Sequence, residues 1–483
     1  MHDLRRQALE SGKTISRKAQ SREASRATSR ASSAHNSRPS SRTASRHPSD
    51  DDEIASQSDA WSAASMDDLA DNPEQDNEEW AQELGDRIQD LLDRKRSSVQ
   101  GREESLSAFC RLAKYHYVEE EIRSKIPDLL GAFTRSIKYE SSVRETTLAL
   151  RALELLAITA SDNTIYENVE PLLTRTIRDS TSNIVKAAAI HCLGACTFFG
   201  GATEDAFFDQ MNFFLDIVAS DGHSIDAGDD AGSVTAALQE WGFLATEIDD
   251  LENESEDAVG IFIDQLDSSE PSVQIAAGEN IALLYEKSYT PQEDDEDADD
   301  VEDHSEDDSS VVSSVENGDG PRLIKRYNAY HNTPELIQQL QSLATVSGKR
   351  INKRDKKSLH ANFASILTTV ENPRRGPMYS TAIDRDTNRH YGSKCAVKIG
   401  REGVMRIDRW WKWIRLAALR RILQGGFAEH YYQGNRAVLD SLPVMMRESP
   451  SASSQQLDRL AARKAARARN SARRWETEYD EEE

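Results

Sequence analysis

The chain has 483 residues and a formal net charge of −25, with 30% charged residues and a mean hydropathy of −0.67; that is material for about three average domains, much of it too polar to be core. No run approaches the roughly 20 apolar residues of a membrane span, and Met1-His2-Asp3-Leu4-Arg5-Arg6 lacks the apolar stretch of a secretory signal, so a soluble intracellular protein without membrane contact is expected. Cys110, Cys192, Cys196 and Cys395 fit thiols of a reducing compartment and exclude a disulfide framework.

Charge is segregated along the chain. Residues 1–79 form a Ser/Arg-rich and then acidic leader that offers too little apolar surface to offset its ordering entropy, and disorder is expected there. Arg22/Ser25, Arg26/Ser29 and Arg30/Ser33 have the spacing that basophilic kinases favour, so phosphorylation would reverse the local charge; the plainer alternative is a solvated linker.

From residue 80 to residue 289 apolar residues recur at three- and four-residue spacing, as in Leu148, Leu150, Leu153, Leu155, Leu156 and Ile158, which is the helical period. Val99, Val143, Val185, Val234 and Val273 each open a helix rich in small residues, at intervals of 44, 42, 49 and 39 residues. These intervals bracket the roughly 40 to 47 residues of armadillo and HEAT repeats. About five stacked helical hairpins are expected, with the Gly/Asp-rich loop from Asp221 to Gly232 absorbing the longest interval. His191, Cys192 and Cys196 share a helix face but lack a fourth ligand nearby, and are read as packing residues rather than a zinc site. Asp249, Asp250, Glu252 and Glu254 read as a solvated loop.

Residues 290–320 are an acidic linker, expected to be disordered. A basic module at 321–447 follows. Thr333-Pro334-Glu335 is a helix start, and Lys353 to Val370 reads as a helix that is basic at first and apolar later, ending before Asn372-Pro373. Cys395–Ile399 and Val404–Ile407 are β-prone and predict a hairpin. Asp408 is expected to cap a Trp/Arg helix running to about Gln424, with Trp411, Ile414, Ala418 and Ile422 on its core stripe, Trp410 or Trp413 exposed, and Gly425-Gly426 as its stop. One more short helix fits 427–447. Residues 448–483 form an Arg-rich tail, helical when bound to an anionic partner.

The fold class that follows is mainly α: an armadillo/HEAT-like α-solenoid, then a small α module with a β-hairpin, with long disordered termini and linker. Lys353-Arg354-Asp355-Lys356-Lys357 leading into Phe363-Ala364-Ser365-Ile366-Leu367-Thr368-Thr369-Val370-Glu371, then Ile407-Asp408-Arg409-Trp410 opening the helix that ends in Leu423-Gln424-Gly425-Gly426, resembles the interferon-related developmental regulator family. Gln7 to Lys18 also looks like the opening of its members. The longer Ser/Arg leader, the extended segment between Glu371 and Ile407 and the Arg-rich tail depart from that pattern. The resemblance implies a non-enzymatic regulator that binds ribosomes, contacting rRNA and ribosomal proteins in the cytoplasm. The alternative is a nuclear transcriptional co-regulator whose solenoid binds chromatin or deacetylase proteins, with the basic segments as import signals.

For the first reading, the expected phosphate contacts are Lys349, Arg350, Lys353, Arg354, Lys356 and Lys357, with Arg409, Lys412, Arg415, Arg420 and Arg421 secondary and Arg463, Lys464, Arg467 and Arg469 on an induced helix. No Gly-rich phosphate loop, nucleophile elbow or metal-ligand spacing is present in the sequence. No catalysis, cofactor, metal or small-molecule substrate is expected.

Overall fold

A computed structural model describes residues 79–93, 97–160, 163–291, 323–345, 353–383, 390–393, 395–399 and 403–442. The expectations for the leader, the acidic linker and the Arg-rich tail lie outside these residues.

The repeat read from the valines is a stack of helical hairpins. Glu79–Leu92 (α1) packs on Val99–Tyr115 (α2), Ile126–Tyr139 (α3) on Val143–Thr159 (α4), and Ile165–Asp179 (α5) on Asn183–Phe199 (α6). Glu204–Ala219 (α7) then packs on Ala231–Ala245 (α8), and Glu252–Gln265 (α9) on Pro271–Lys287 (α10). Each of the five valines falls within the first four residues of α2, α4, α6, α8 or α10. Ser98, Ser142 and Asp230 cap three of these helices by accepting from Gly101, Glu145 and Ser233 amides, which satisfies donors that have no partner within the helix.

The even-numbered helices contact one another in succession and form the inner layer; the odd-numbered ones form the outer layer. Close approach in the inner layer needs small residues. A Cβ on Gly194 of α6 would lie 2.1 Å from the Glu240 carboxylate of α8, so glycine is what lets that side chain sit between the two helices. The long interval is absorbed by an ordered loop at 221–230, with Asp221, Asp226 and Asp229 at positive φ, while Gly232 already lies in α8. Its Ile225 carbonyl accepts from the buried Lys186 ammonium, which also bonds the last carbonyls of α5 at Ile177 and Arg178.

Strands Tyr289–Pro291 (β1) and Leu323–Lys325 (β2) pair antiparallel and bring the two flanks of the acidic linker together. Thr333–Thr345 (α11) and Lys353–Glu371 (α12) then continue the stack as a sixth hairpin, because Phe363 and Ile366 of α12 pack over Gly278 of α10.

Beyond it lies a small part of different character. Tyr379–Ile383 (β3) pairs with His390–Ser393 (β4), a hairpin that periodicity did not reveal, and Ala396–Ile399 (β5) pairs with Gly403–Arg406 (β6), the hairpin that was expected. Trp410–Leu423 (α13) follows, then the short helices Phe427–Tyr432 (α14) and Arg436–Ser441 (α15), where one had been expected. A mainly helical solenoid with a small α and β-hairpin addition is therefore what the chain builds. Among the described residues no helix is long and apolar enough to cross a membrane.

Candidate functional site

Helix α13 lies across the inner layer, touching α10, α8, α4 and α2 in turn. It reaches them over the C-terminal halves of those helices. Trp410, Ile414, Leu416, Leu419, Ile422 and Leu423 are buried there, so the helix is apolar on more than one side and has no single solvent face.

Its first turn is held by a residue far away in sequence. The Glu286 carboxylate of α10 accepts from the amides of Trp410 at 2.8 Å and Trp411 at 3.2 Å. Asp408 does not cap the helix as the sequence had suggested. The N-cap residue is Arg409, with no side-chain cap bond, and the Asp408 carboxylate accepts from Lys412 Nζ at 2.6 Å instead. The expected core stripe is shifted by one tryptophan. Trp410 is the buried ring, donating through Nε1 to Thr369 at 2.7 Å, while Trp411 and Trp413 are half-buried and Trp413 Nε1 donates to Glu279 at 2.9 Å.

Further along, the Arg415 guanidinium donates to the hydroxyl and carbonyl of Thr246 at the end of α8, to Glu247 and to the Ser441 carbonyl. It also lies 5.3 Å from the Phe198 ring centroid. Arg421 bridges Glu154 of α4 and Glu240 of α8, and Arg151 returns a bond to the Ile422 carbonyl. Glu240 also bonds His191 Nδ1 at 2.7 Å. Burial pushes the Glu240 carboxyl up to about 7 against the pull of Arg421, and burial among the same groups holds His191 well below its ordinary pKa and hence neutral.

The helix stops at Gln424, which takes a positive φ. Gly426 serves a different purpose: a Cβ there would fall 1.7 Å from the Lys114 carbonyl, so glycine lets the chain press onto α2. His430 Nε2 then bonds the Ala113 carbonyl, and Asn435 bonds both His430 Nδ1 and the Ile158 carbonyl. Because Asn435 donates to Nδ1, the ring is the neutral Nε2–H tautomer, and burial lowers its pKa to about 4.

The residues expected to meet phosphate are separated by this arrangement. Lys349, Arg350, Arg463, Lys464, Arg467 and Arg469 lie outside the described residues. Lys353, Arg354, Lys356 and Lys357 occupy the first two turns of α12, and Lys357 is exposed. On α13, Arg415 and Arg421 are turned into the solenoid, Arg420 is half-buried with its pKa lowered by burial, Arg409 is half-buried, and Lys412 sits between Asp408 and the Trp411 ring. In this arrangement Arg415 and Arg421 hold α13 to the inner layer. Cys192 and Cys196 are buried free thiols, and among the described residues no group of three or more His, Cys, Asp or Glu side chains is placed to hold a metal ion.

Sequence reasoning missed the carboxylates that receive α13. The signal was available in Ala152-Leu153-Glu154-Leu155-Leu156, Leu238-Gln239-Glu240-Trp241 and Leu283-Leu284-Tyr285-Glu286. An acid among core residues of an inner helix demands a partner for its charge.

The family profile described as interferon-related developmental regulator matches residues 50–371. The chain belongs to the interferon-related developmental regulator family. The matched stretch ends at Glu371, the last residue of α12, and so takes in all six hairpins while leaving out α13. The resemblance noted at Lys353–Glu371 falls inside it, and that at Ile407–Leu423 outside. An uncharacterized protein of Schizosaccharomyces pombe is 27% identical over 356 residues, covering 73% of this chain and 72% of its own.

Proposed function

We propose that this family member is a non-enzymatic, ribosome-associated regulator of translation, which grips rRNA backbone through the basic run at 349–357. The carrying observation is the division of α12. Its later turns bury Leu359, Phe363, Ile366 and Val370 against the stack, whereas its first two turns hold Lys353, Arg354, Lys356 and Lys357 with no apolar residue among them. A helix that needed only to pack would not concentrate charge at one end in a protein of net charge −25. Cations so grouped suit phosphates spaced along a strand, which position a protein without reading sequence. The solenoid offers a further surface to rRNA or ribosomal proteins, and the tail cations at 463–469 would fold onto the same polyanion. Such a role places the protein in the cytoplasm.

Replacing Lys353, Arg354, Lys356 and Lys357 by Ala tests this directly. The variant should leave the ribosomal fraction of a sucrose gradient while keeping its helical signal, since alanine is the strongest helix former. Unchanged co-sedimentation would remove these residues as contacts. Retention of the variant on chromatin or deacetylase proteins instead would favour the co-regulator reading.

A further inference from the structure

The two long edges of the stack are unlike. At one edge the C-terminal ends of the inner helices carry α13, α14 and α15. At the other, where the turns inside the hairpins lie, hairpins one to three each place exposed large hydrophobic side chains among the described residues: Val99, Tyr139, Val143 and Ile184. Tyr139 is 71% and Ile184 68% exposed.

Hydrogen bonds join these turns into one surface. Ser142 Oγ donates to Glu103 of α2, and Ser180 Oγ donates to Glu140 at 2.6 Å, so the Tyr139–Ser142 turn abuts both neighbours. Lys138 and Arg144 flank Tyr139 in sequence and are exposed; Arg178 lies two residues before Ser180 and is exposed as well. The carboxylates of this edge are partly occupied, Glu140 by Ser180, Asp179 by Arg175 at 3.1 Å and Glu103 by Arg144 at 3.8 Å. The contrast with the next hairpins is sharp. Between Lys186 and Lys287 the chain has no Lys or Arg and 21 Asp and Glu, so a polyanion cannot follow the solenoid past α6.

We propose that the turn edge of hairpins one to three binds single-stranded RNA, with Lys138, Arg144 and Arg178 on the phosphates and the Tyr139 ring under a base. An exposed aromatic set among cations is the arrangement that holds single strands, because every base offers a π-face and the backbone is read only as charge. Ile184 supplies the apolar neighbour on the next hairpin. A folded protein partner would require a larger and drier patch than four separated side chains provide. The site deepens the ribosome reading by naming a second RNA-contacting surface, on the edge of the solenoid away from α13.

The test uses the full-length protein and a single-stranded RNA oligonucleotide containing 4-thiouridine, photocrosslinked and mapped by mass spectrometry. An adduct on Tyr139 is expected, and its yield should fall roughly tenfold in Lys138→Ala/Arg144→Ala, changes at exposed positions that remove one long surface ion pair, Arg144–Glu103, and so shift the thermal melt little. Adducts confined to the basic run, leader or tail, or a Tyr139 adduct indifferent to the double substitution, would overturn the proposal. Because free RNA is the probe, either result is independent of whether the α12 variant leaves the ribosome.

Discussion

Glu286 and Trp410 are 124 residues apart in sequence, yet the carboxylate of the first accepts the backbone amide of the second at 2.8 Å. The helix that crosses the inner layer thus starts on an acid supplied by the solenoid it crosses. Positive partial charge at a helix N-terminus favours a carboxylate there, but burial outweighs it and pushes Glu286 up to about 7. The pairing makes α13 part of the same cooperative unit as the repeats.

Removing the acceptor should show this. Glu286→Ala leaves two amides of α13 without a partner and is expected to cost about 1–3 kcal/mol in urea unfolding. Glu286→Gln retains an oxygen acceptor and should cost less. The pH dependence gives the sharper reading. With a folded pKa of about 7 against 4.5 for the ordinary group, the native state binds more protons than the unfolded one between those values. Glu286 therefore contributes stability below pH 4.5 that is lost as pH rises to 7. His430 opposes it: with a pKa of about 4 against 6.5, its contribution is full above pH 6.5 and falls as pH drops to 4. Measured against wild type, Glu286→Gln should thus compare better at pH 8 than at pH 5. The same difference at both pH values would mean that the carboxyl is not shifted.

The tryptophans separate in the same experiment. Trp410 is 2% exposed and its replacement by Ala should cost about 3–5 kcal/mol. Trp411 is half-buried beside Arg415, 5.1 Å from its ring, and Trp411→Ala should cost distinctly less. Equal losses would put both rings in the core.

Two glycines make a matched pair. Gly194→Ala drives a methyl into Glu240 and should destabilise by about 1–3 kcal/mol, since an inner helix has no slack. Gly85, within α1, has nothing within 4 Å of its missing Cβ, so Gly85→Ala should stabilise by about 0.5–1 kcal/mol. Thermal unfolding of the two variants checks both signs.

The solenoid was legible because each hairpin repeats one local problem, a polar turn followed by a helix with a small-residue face, and the solution leaves its mark on every valine-led helix start. The bounds of α12 and the β5–β6 hairpin were legible for similar reasons, a proline stop and two short β-prone runs. Helix α13 was not. A helix buried on several sides has no amphipathic period to give its register, so Trp411 was read as core where Trp410 is. Nor does local sequence show that Arg415 and Arg421 meet Thr246, Glu154 and Glu240, because that depends on where the chain returns. The basic run at 349–357 stands out in the sequence, whereas the packing of Phe363 and Ile366 over Gly278 of α10 does not, because it too depends on where the chain returns.

The most direct test of the ribosome-binding account is co-sedimentation of the wild-type protein with ribosomes as salt is raised, with and without RNase. If about six phosphates are held, affinity should fall about a thousandfold between 50 and 200 mM salt, and RNase digestion should release the protein. A complex that persists through high salt and contains no rRNA would contradict it.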